Sequence, residues 1–163
     1  MTSPKSVIAL LLFASISIVA CKKDKAVTPK GDALFIEIAG GYTAPASAEH
    51  PYKKIQITAA GSYEISYTGE SKPNIRRLPG NIHDSLKPYL SSFPRATVKA
   101  DPNEGRYDFG SGADVPYTAY TFIQETPADT ASIKIAWHTF VPYMQDFQLN
   151  VEQTIKNCHL LEY

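Results

Sequence analysis

The feature that most constrains this chain is a short apolar run near its N-terminus. Residues 7–20 read VIALLLFASISIVA, hold nothing more polar than serine, and follow closely on Lys5. Fourteen residues are fewer than the roughly 20 that a membrane-spanning helix needs, whereas a basic start followed by such a run is typical of a secretory signal peptide. We therefore expect residues 1–20 to be removed on export, so that only the remaining chain folds.

The residues at the end of this run indicate how the exported chain is held. They read Ile18-Val19-Ala20-Cys21 and resemble the lipobox of bacterial lipoproteins. The resemblance implies cleavage before Cys21 and attachment of acyl chains to its thiol, and two or more chains anchor a protein durably in a membrane. Lys22 stands where inner-membrane lipoproteins tend to carry aspartate, and this resemblance implies that the protein is held in the outer membrane. It does not specify which leaflet of that membrane holds the protein. An ordinary secretory signal with an incidental cysteine is the alternative.

The segment after the lipobox divides into a tether and a folding unit. Residues 21–31, CKKDKAVTPKG, hold four lysines, a proline and a glycine, which is too little apolar surface to fold. They predict either a solvated spacer or one whose lysines contact anionic head groups. Residues 32–163 have the length of a single domain.

The charge and cysteine content of residues 32–163 limit the partners of the domain. The segment holds 11 Lys+Arg against 15 Asp+Glu, a net charge of −4, so we expect no nucleic-acid partner, because that requires a basic surface. The expected partners are the membrane, through lipid on Cys21, and another envelope or secreted protein. With Cys21 lipidated, only Cys158 remains, and no internal disulfide is expected.

Alternation of apolar and polar residues predicts the strands. The first places Leu34, Ile36 and Ile38 on one face, the next two form a β-hairpin, and the fourth has two substantial faces and is expected to lie centrally. The predicted strands are Leu34–Ala39, Lys54–Thr58, Tyr63–Thr68, Pro116–Gln124 and Ser132–His138, with a shorter one at Arg95–Lys99.

A first helix is predicted between the hairpin and the central strand. Ile82, Leu86, Tyr89, Leu90 and Phe93 fall on one face at helical spacing. We expect the helix to be capped by Ser85, which puts Pro88 in the first turn, where its missing N–H costs little. A longer helix from Asn81, kinked at the proline, is the alternative.

A second helix is predicted at the C-terminus, starting at Pro142. Its apolar stripe of Phe147, Val151, Ile155 and Cys158 predicts a buried cysteine. The fold class expected from all elements is therefore α+β, with an antiparallel sheet of about five strands and two helices packed on it.

Candidate catalytic and metal sites are weak in this sequence. His50, His83, His138 and His159 show no metal-ligand spacing. Carboxylates such as Glu37 occupy strand positions that a solvated outer face of the sheet explains, so they do not indicate a catalytic pair. We expect a protein that is not an enzyme and needs no cofactor.

The loop at residues 101–114, DPNEGRYDFGSGAD, is the best metal candidate. Asp101, Asn103 and Asp108 offer oxygen ligands of the kind that bind Ca²⁺, but the EF-hand pattern fails and a plain turn uses the same residues. The turn is the preferred interpretation, and no metal is expected.

Aromatic content suggests a binding role. Ten tyrosines accompany Trp137, and such amphipathic rings are favoured at interfaces and sugar platforms. Half-buried sheet positions are the plainer explanation. An exposed coplanar ring pair would favour sugar binding, and burial of Trp137 would count against it.

The order of elements resembles the emfourin-type protein inhibitors of thermolysin-like metalloproteases. The residues that carry the likeness are the strand Ile36–Tyr42, which closes in Gly-Gly-Tyr, then Leu78-Pro79 before a helix, and Gly112–Asp114 before the strand around Tyr120. The resemblance implies a contact surface in the loop that begins with Gly40, Gly41 and Tyr42.

The function expected from the sequence is that of a membrane-anchored, non-catalytic interaction or accessory protein of the cell envelope. Metalloprotease inhibition and carbohydrate binding are the two alternatives.

Overall fold

A computed structural model describes residues 31–39, 52–68, 72–107, 116–124, 129–137 and 139–160. Within these ranges the chain forms seven strands, four α-helices and one 3-10 turn. In chain order they are β1 (Ala33–Ala39), β2 (Tyr52–Thr58), β3 (Gly61–Tyr67), β4 (Asn74–Arg77), α1 (Gly80–Leu86), α2 (Pro88–Ser92), α3 (Arg95–Lys99), β5 (Arg106–Tyr107), β6 (Tyr117–Ile123), β7 (Thr130–Ala136), the 3-10 turn (Pro142–Met144) and α4 (Gln145–Asn157). None of the described helices is long and apolar enough to cross a membrane.

The seven strands form one sheet in the order β4-β3-β2-β1-β6-β7-β5. The α+β class is confirmed. The prediction of about five antiparallel strands is wrong, because β4 and β5 extend the sheet at its edges and β5 runs parallel to β7. β4 has four residues and β5 only two, so neither carries the alternation from which a strand can be predicted.

The longer strands follow the predicted alternation. Leu34 and Ile36 of β1 are fully buried, and the hairpin closes through the turn between Thr58 and Gly61. β6 lies between β1 and β7, as predicted for a central strand. The prediction for β7 is wrong at its end, because the strand stops at Ala136 and leaves Trp137 beyond it.

The first predicted helix is two short helices. α1 begins at Gly80 and not at Ser85, whose Oγ donates to the carbonyl of Asn81 at 3.0 Å and caps nothing. The break falls at Lys87 because Pro88 has no N–H with which to continue α1. Pro88 instead occupies the first position of α2, where that N–H is not needed.

The prediction of a strand at Arg95–Lys99 is wrong, because this segment is helix α3. Five residues are too few to separate a period of two from one of 3.6, and only Val98 is buried, with its N–H donating to the carbonyl of Pro94 at 3.0 Å. Ion pairs of Arg95 and Lys99 with Asp129, just ahead of β7, hold the helix against the sheet.

The C-terminal helix begins with the 3-10 turn at Pro142, the predicted proline, and this turn leads directly into α4. Phe147, Val151 and Ile155 are buried, and the Phe147 ring packs edge-on against Tyr120 of β6 at a centroid distance of 5.4 Å. Cys158 is half-buried at the edge of this core, so the burial predicted for it is only partial. The core therefore lies between one face of the sheet and the helices.

Candidate functional site

The two faces of the sheet differ in what covers them. Among the described residues, the strand members of the core cluster, such as Leu34, Ile55, Tyr120 and Ile133, all lie on the face that the helices cover. We call the opposite face, on which none of the described helices packs, the open face. Ile65 shows the difference, because it is buried on the open face and yet is not a member of the core cluster.

Strand register assigns the open-face residues, because residues paired directly across strands point to the same side of a sheet. The register pairs Glu37 with Lys54 on one side and with Ala119 on the other. The aromatic and charged members of the open face are Phe35, Glu37, Tyr52, Lys54, Tyr63, Tyr67, Arg77, Arg106, Tyr117 and Lys134.

Glu37 is the centre of a hydrogen-bonded group on this face. Its Oε1 accepts a bond of 2.5 Å from the Tyr117 hydroxyl, and the carboxylate also accepts from Tyr52. Burial and then these contacts with Glu37 raise the pKa of Tyr117 to about 12. The same causes raise the pKa of Tyr52 far above its usual 10.0. Both phenols are therefore neutral donors at physiological pH, and Glu37 holds the two rings in fixed positions.

Two lysines lie over aromatic rings beside this group. The Lys54 ammonium is 5.4 Å from the centroid of Phe35 and 5.3 Å from that of Tyr67. The Lys134 ammonium is 4.0 Å from the centroid of Tyr117. At these distances each ammonium is attracted to the ring face, so the open face combines aromatic surface with organised cations.

Two observations bear on the criteria for sugar binding. The rings of Tyr52 and Tyr67 have centroids 5.5 Å apart but are tilted by 48°, so this pair is in contact without being coplanar. Trp137 is 43% exposed and is therefore not part of the core. It follows Ala136, which pairs with Tyr117, so it lies at the same end of the sheet as the Glu37 group.

Several predicted site residues lie outside the described residues. These are the lipidation site Cys21 and the candidate contact residues Gly40, Gly41 and Tyr42, together with His50, Asp108 and His138. β1 ends at Ala39, immediately before the first of the contact residues.

The candidate calcium loop is held by tyrosines. The Asp101 carboxylate accepts hydrogen bonds from the hydroxyls of Tyr107 and Tyr143 and from the backbone N–H of Asn103. Burial raises the pKa of this carboxyl, but the three bonds outweigh it and leave the pKa below the usual 3.8. No group of three or more histidine, cysteine, aspartate or glutamate side chains that could hold a metal occurs among the described residues.

Ser62 and His83 form a pair that the sequence did not indicate. The Ser62 Oγ and His83 Nδ1 are 2.9 Å apart, which resembles the spacing of a nucleophile and its base. Ser62 is completely buried between β3 and α1, so no substrate reaches it. A shallow cleft beside α1 and α2 contains Asp84, Lys87 and Ser91 but no histidine among its lining residues. Neither feature therefore makes an active site.

Comparison of the chain with protein-family models, with curated proteins and with solved structures returned no match. The class that the fold and the site define is thus an α+β protein whose sheet is covered by helices on one face and carries an organised aromatic and cationic group on the other.

Proposed function

We propose that this protein is a lipid-anchored, non-catalytic binding protein of the cell envelope and that the open face of its sheet holds a saccharide ligand. The observation that carries the proposal is the group around Glu37, in which two tyrosine rings are fixed by hydrogen bonds and two more rings carry a lysine. A sheet face of this composition, away from the helix-covered core, is typical of an interaction surface.

The fixed rings favour binding over a purely structural role. Tyrosine supplies a large amphipathic contact area and loses little conformational entropy when it is immobilised. Because Glu37 already holds Tyr52 and Tyr117, a ligand that stacks on them does not have to order them, and preorganisation of this kind increases affinity.

The side chains match a saccharide in chemistry. A sugar ring presents a C–H face, which packs on aromatic rings, and hydroxyl groups, which bond to carboxylates and phenols. The open face offers both next to each other in Tyr117 and Glu37.

The position of the tether supports presentation of this surface away from the membrane. β1 starts at Ala33, next to the predicted tether, and ends at Ala39, which pairs with Tyr117. Seven residues of strand extend about 20 Å at about 3.3 Å per residue. The Glu37 group is therefore nearer to the end of the sheet that is remote from the anchored end.

Retention on immobilised polysaccharides, neutral and acidic, tests the proposal with the full-length chain in detergent. We expect retention on at least one of them and its loss in the double variant Tyr52→Ala, Tyr67→Ala. Leu149→Ala is the matched control, because Leu149 is 57% exposed on α4, on the helix side. Equal retention of the tyrosine variant and the control would contradict the proposed surface, and no retention on any polysaccharide would contradict the ligand class.

Anchoring is tested separately in a bacterial host. We expect the wild-type chain to incorporate a labelled fatty acid and Cys21→Ser to incorporate none, because the serine hydroxyl cannot take the lipid. Equal labelling of Cys21→Ser and the wild type, or no labelling of either, would contradict lipid anchoring at Cys21.

A further inference from the structure

Two opposite charges face each other on the open face without forming an ion pair. The register pairs Glu37 of β1 directly with Lys54 of β2, and residues in this relation have Cβ atoms about 4.5–5.5 Å apart. Each charge is held by aromatic side chains instead of by the other. The Glu37 carboxylate accepts hydrogen bonds from two tyrosine hydroxyls, and the Lys54 ammonium lies about equally far from the rings of Phe35 and Tyr67. A gap bordered by a carboxylate and an ammonium group therefore remains between the two side chains.

The hydrogen-bonding capacity that borders this gap is of both kinds. An ionised carboxylate offers about four lone-pair positions, of which the Tyr52 and Tyr117 hydroxyls take two. An ammonium group carries several N–H donors, and Lys54 donates none of them to a described residue. A ligand group that is donor and acceptor at once therefore finds a partner on each side of the gap.

A hydroxyl group meets this requirement, because its O–H donates while its oxygen accepts. Bonded to Glu37 and Lys54 together, it completes a chain of hydrogen bonds from ammonium to carboxylate, and the bonds of such a chain polarise and strengthen one another. Hydrogen bonds to ionised groups are also stronger than those between neutral groups. The rings of Tyr52 and Tyr67, which are in contact beside the gap, offer apolar surface to the C–H face of the sugar that carries the hydroxyl.

The balance of charge around the gap selects an uncharged ligand. An anion in the gap is attracted by Lys54 and repelled by Glu37 over similar distances, and a cation meets the reverse. A charged group thus gains little from the pair, while it loses far more hydration than a hydroxyl does. Lys134 does not border the gap, because the register places Ala119 between it and Glu37. The Lys134 ammonium is also engaged elsewhere, over the Tyr117 ring and in a further contact.

We infer that the open face selects a neutral saccharide and that Glu37 and Lys54 determine this specificity, an inference that rests on the proposed function. One ligand hydroxyl donates to the Glu37 carboxylate and accepts from the Lys54 ammonium, while the C–H face of the same sugar packs on Tyr52 or Tyr67. Saccharides that carry a charge, such as uronic acids and amino sugars, bind more weakly, because each charge of the pair is opposed by the other.

Dextran, hydroxyethylcellulose and galactomannan test the inference when each is compared with its own densely carboxymethylated form. The full-length chain is used in a detergent that carries no sugar, so that the detergent does not compete for the site. We expect at least one neutral polymer to bind in calorimetry. At low salt it should bind at least about tenfold more tightly than its carboxymethylated form, because the carboxylates lose hydration without a net attraction.

Glu37→Gln and Lys54→Gln test the two residues separately. Each removes a charge-assisted hydrogen bond and should weaken binding of the neutral polymer about tenfold. Their effects on the preference should be opposite, because Glu37→Gln removes the repulsion of the carboxymethylated polymer and Lys54→Gln removes the attraction. Asp146→Asn and Lys156→Gln are the matched controls, since they change the charge equally at exposed positions on α4 and should alter neither affinity nor preference. Lys54→Gln leaves the hydrogen bonds of Glu37 in place, so it tests the pair even if Glu37→Gln does not fold.

Three results would overturn the inference and leave the proposed function intact, provided that binding is lost in the double variant Tyr52→Ala, Tyr67→Ala. The first is binding of a carboxymethylated polymer as tight as that of its neutral form, or tighter. The second is tighter binding of cationic diethylaminoethyl-dextran than of dextran. The third is binding of the neutral polymer that stays within about twofold of the wild type in both Glu37→Gln and Lys54→Gln. Failure of every polymer to bind, neutral or charged, would remove the proposed function as well.

Discussion

Tyr120 provides a test of how completely the core satisfies its polar groups. Its side chain is fully buried in β6, and its hydroxyl has no hydrogen-bond partner within the described residues. The Thr118 Oγ1, two residues earlier on the same face, is also buried and has no hydrogen-bond partner within the described residues. Burial, with a smaller contribution from the charge of Glu152, raises the pKa of the Tyr120 phenol far above 10, so the group stays neutral and carries an unused donor.

Removal of the Tyr120 hydroxyl is therefore expected to stabilise the protein. A buried donor or acceptor left without a partner costs about 1–3 kcal/mol. Tyr120→Phe removes that cost and loses the dispersion contacts of one oxygen, each worth about 0.1–0.2 kcal/mol. We expect a net gain of about 1 kcal/mol in the free energy of unfolding, which corresponds to a rise of about 3–5 °C in Tm for a domain of this size.

Tyr89 supplies the matched control for this measurement. Its hydroxyl donates to the carbonyl of Asn150 at 2.8 Å and lies 2.7 Å from the Thr154 Oγ1, so Tyr89→Phe removes satisfied bonds and is expected to lower stability by about 1 kcal/mol. Thermal and urea unfolding of the two variants, followed by circular dichroism, should thus give changes of opposite sign. A loss of stability in Tyr120→Phe equal to that in Tyr89→Phe would refute the reasoning, because it would mean that the buried hydroxyl has a partner.

Three further predictions follow from the loop after α3 and from the sequence resemblance. Gly105→Ala should destabilise the protein by about 2 kcal/mol or more in urea unfolding, because Gly105 has a φ of +69° and an added Cβ would lie 2.2 Å from the Ser132 carbonyl oxygen; a neutral result would contradict this. The Asp101 carboxyl has a lowered pKa in the folded state, so the stability that its ionised form contributes is present above the unfolded pKa of about 3.8 and is lost as pH falls through the folded pKa. Below about pH 4, Tm should therefore depend less on pH in Tyr143→Phe than in the wild type. An unchanged dependence of Tm on pH would contradict this prediction. If the emfourin resemblance reflects function, the full-length chain should inhibit a thermolysin-like metalloprotease saturably without being cleaved, and alanine replacements across 42–50 should relieve the inhibition; slow cleavage would identify the chain as a substrate instead.

The elements that the sequence predicted correctly are those with a repeated apolar pattern. β1, the hairpin, β6 and α4 each contain several turns or alternations, and Leu34, Tyr120 and Val151 are buried where the pattern required it. The pattern is informative because burial on one face of a strand or helix imposes a period that is visible within the element itself. Elements of two to five residues, namely β4, β5 and α3, have no such period.

The candidate site was much less accessible to sequence reasoning. The tyrosine content suggested a binding role, but Glu37 was assigned to a solvated outer face, and nothing in the sequence connects it with Tyr117, 80 positions away. Lys54 is likewise an ordinary strand lysine until the register sets it opposite Glu37. A pattern of alternation specifies which face a residue occupies but not which strands are neighbours.

The sequence by itself determined the class of this protein, because the apolar periods that build a sheet and a helical layer are local properties of the chain. It also predicted the signal peptide and lipid anchor at Cys21, which depend on consecutive residues. Only the tertiary structure decided the seven-strand order, the parallel pairing of β5 with β7, and the group of Glu37, Tyr52 and Tyr117. These features depend on contacts between distant segments, whose pairing is selected by the packing of the whole sheet.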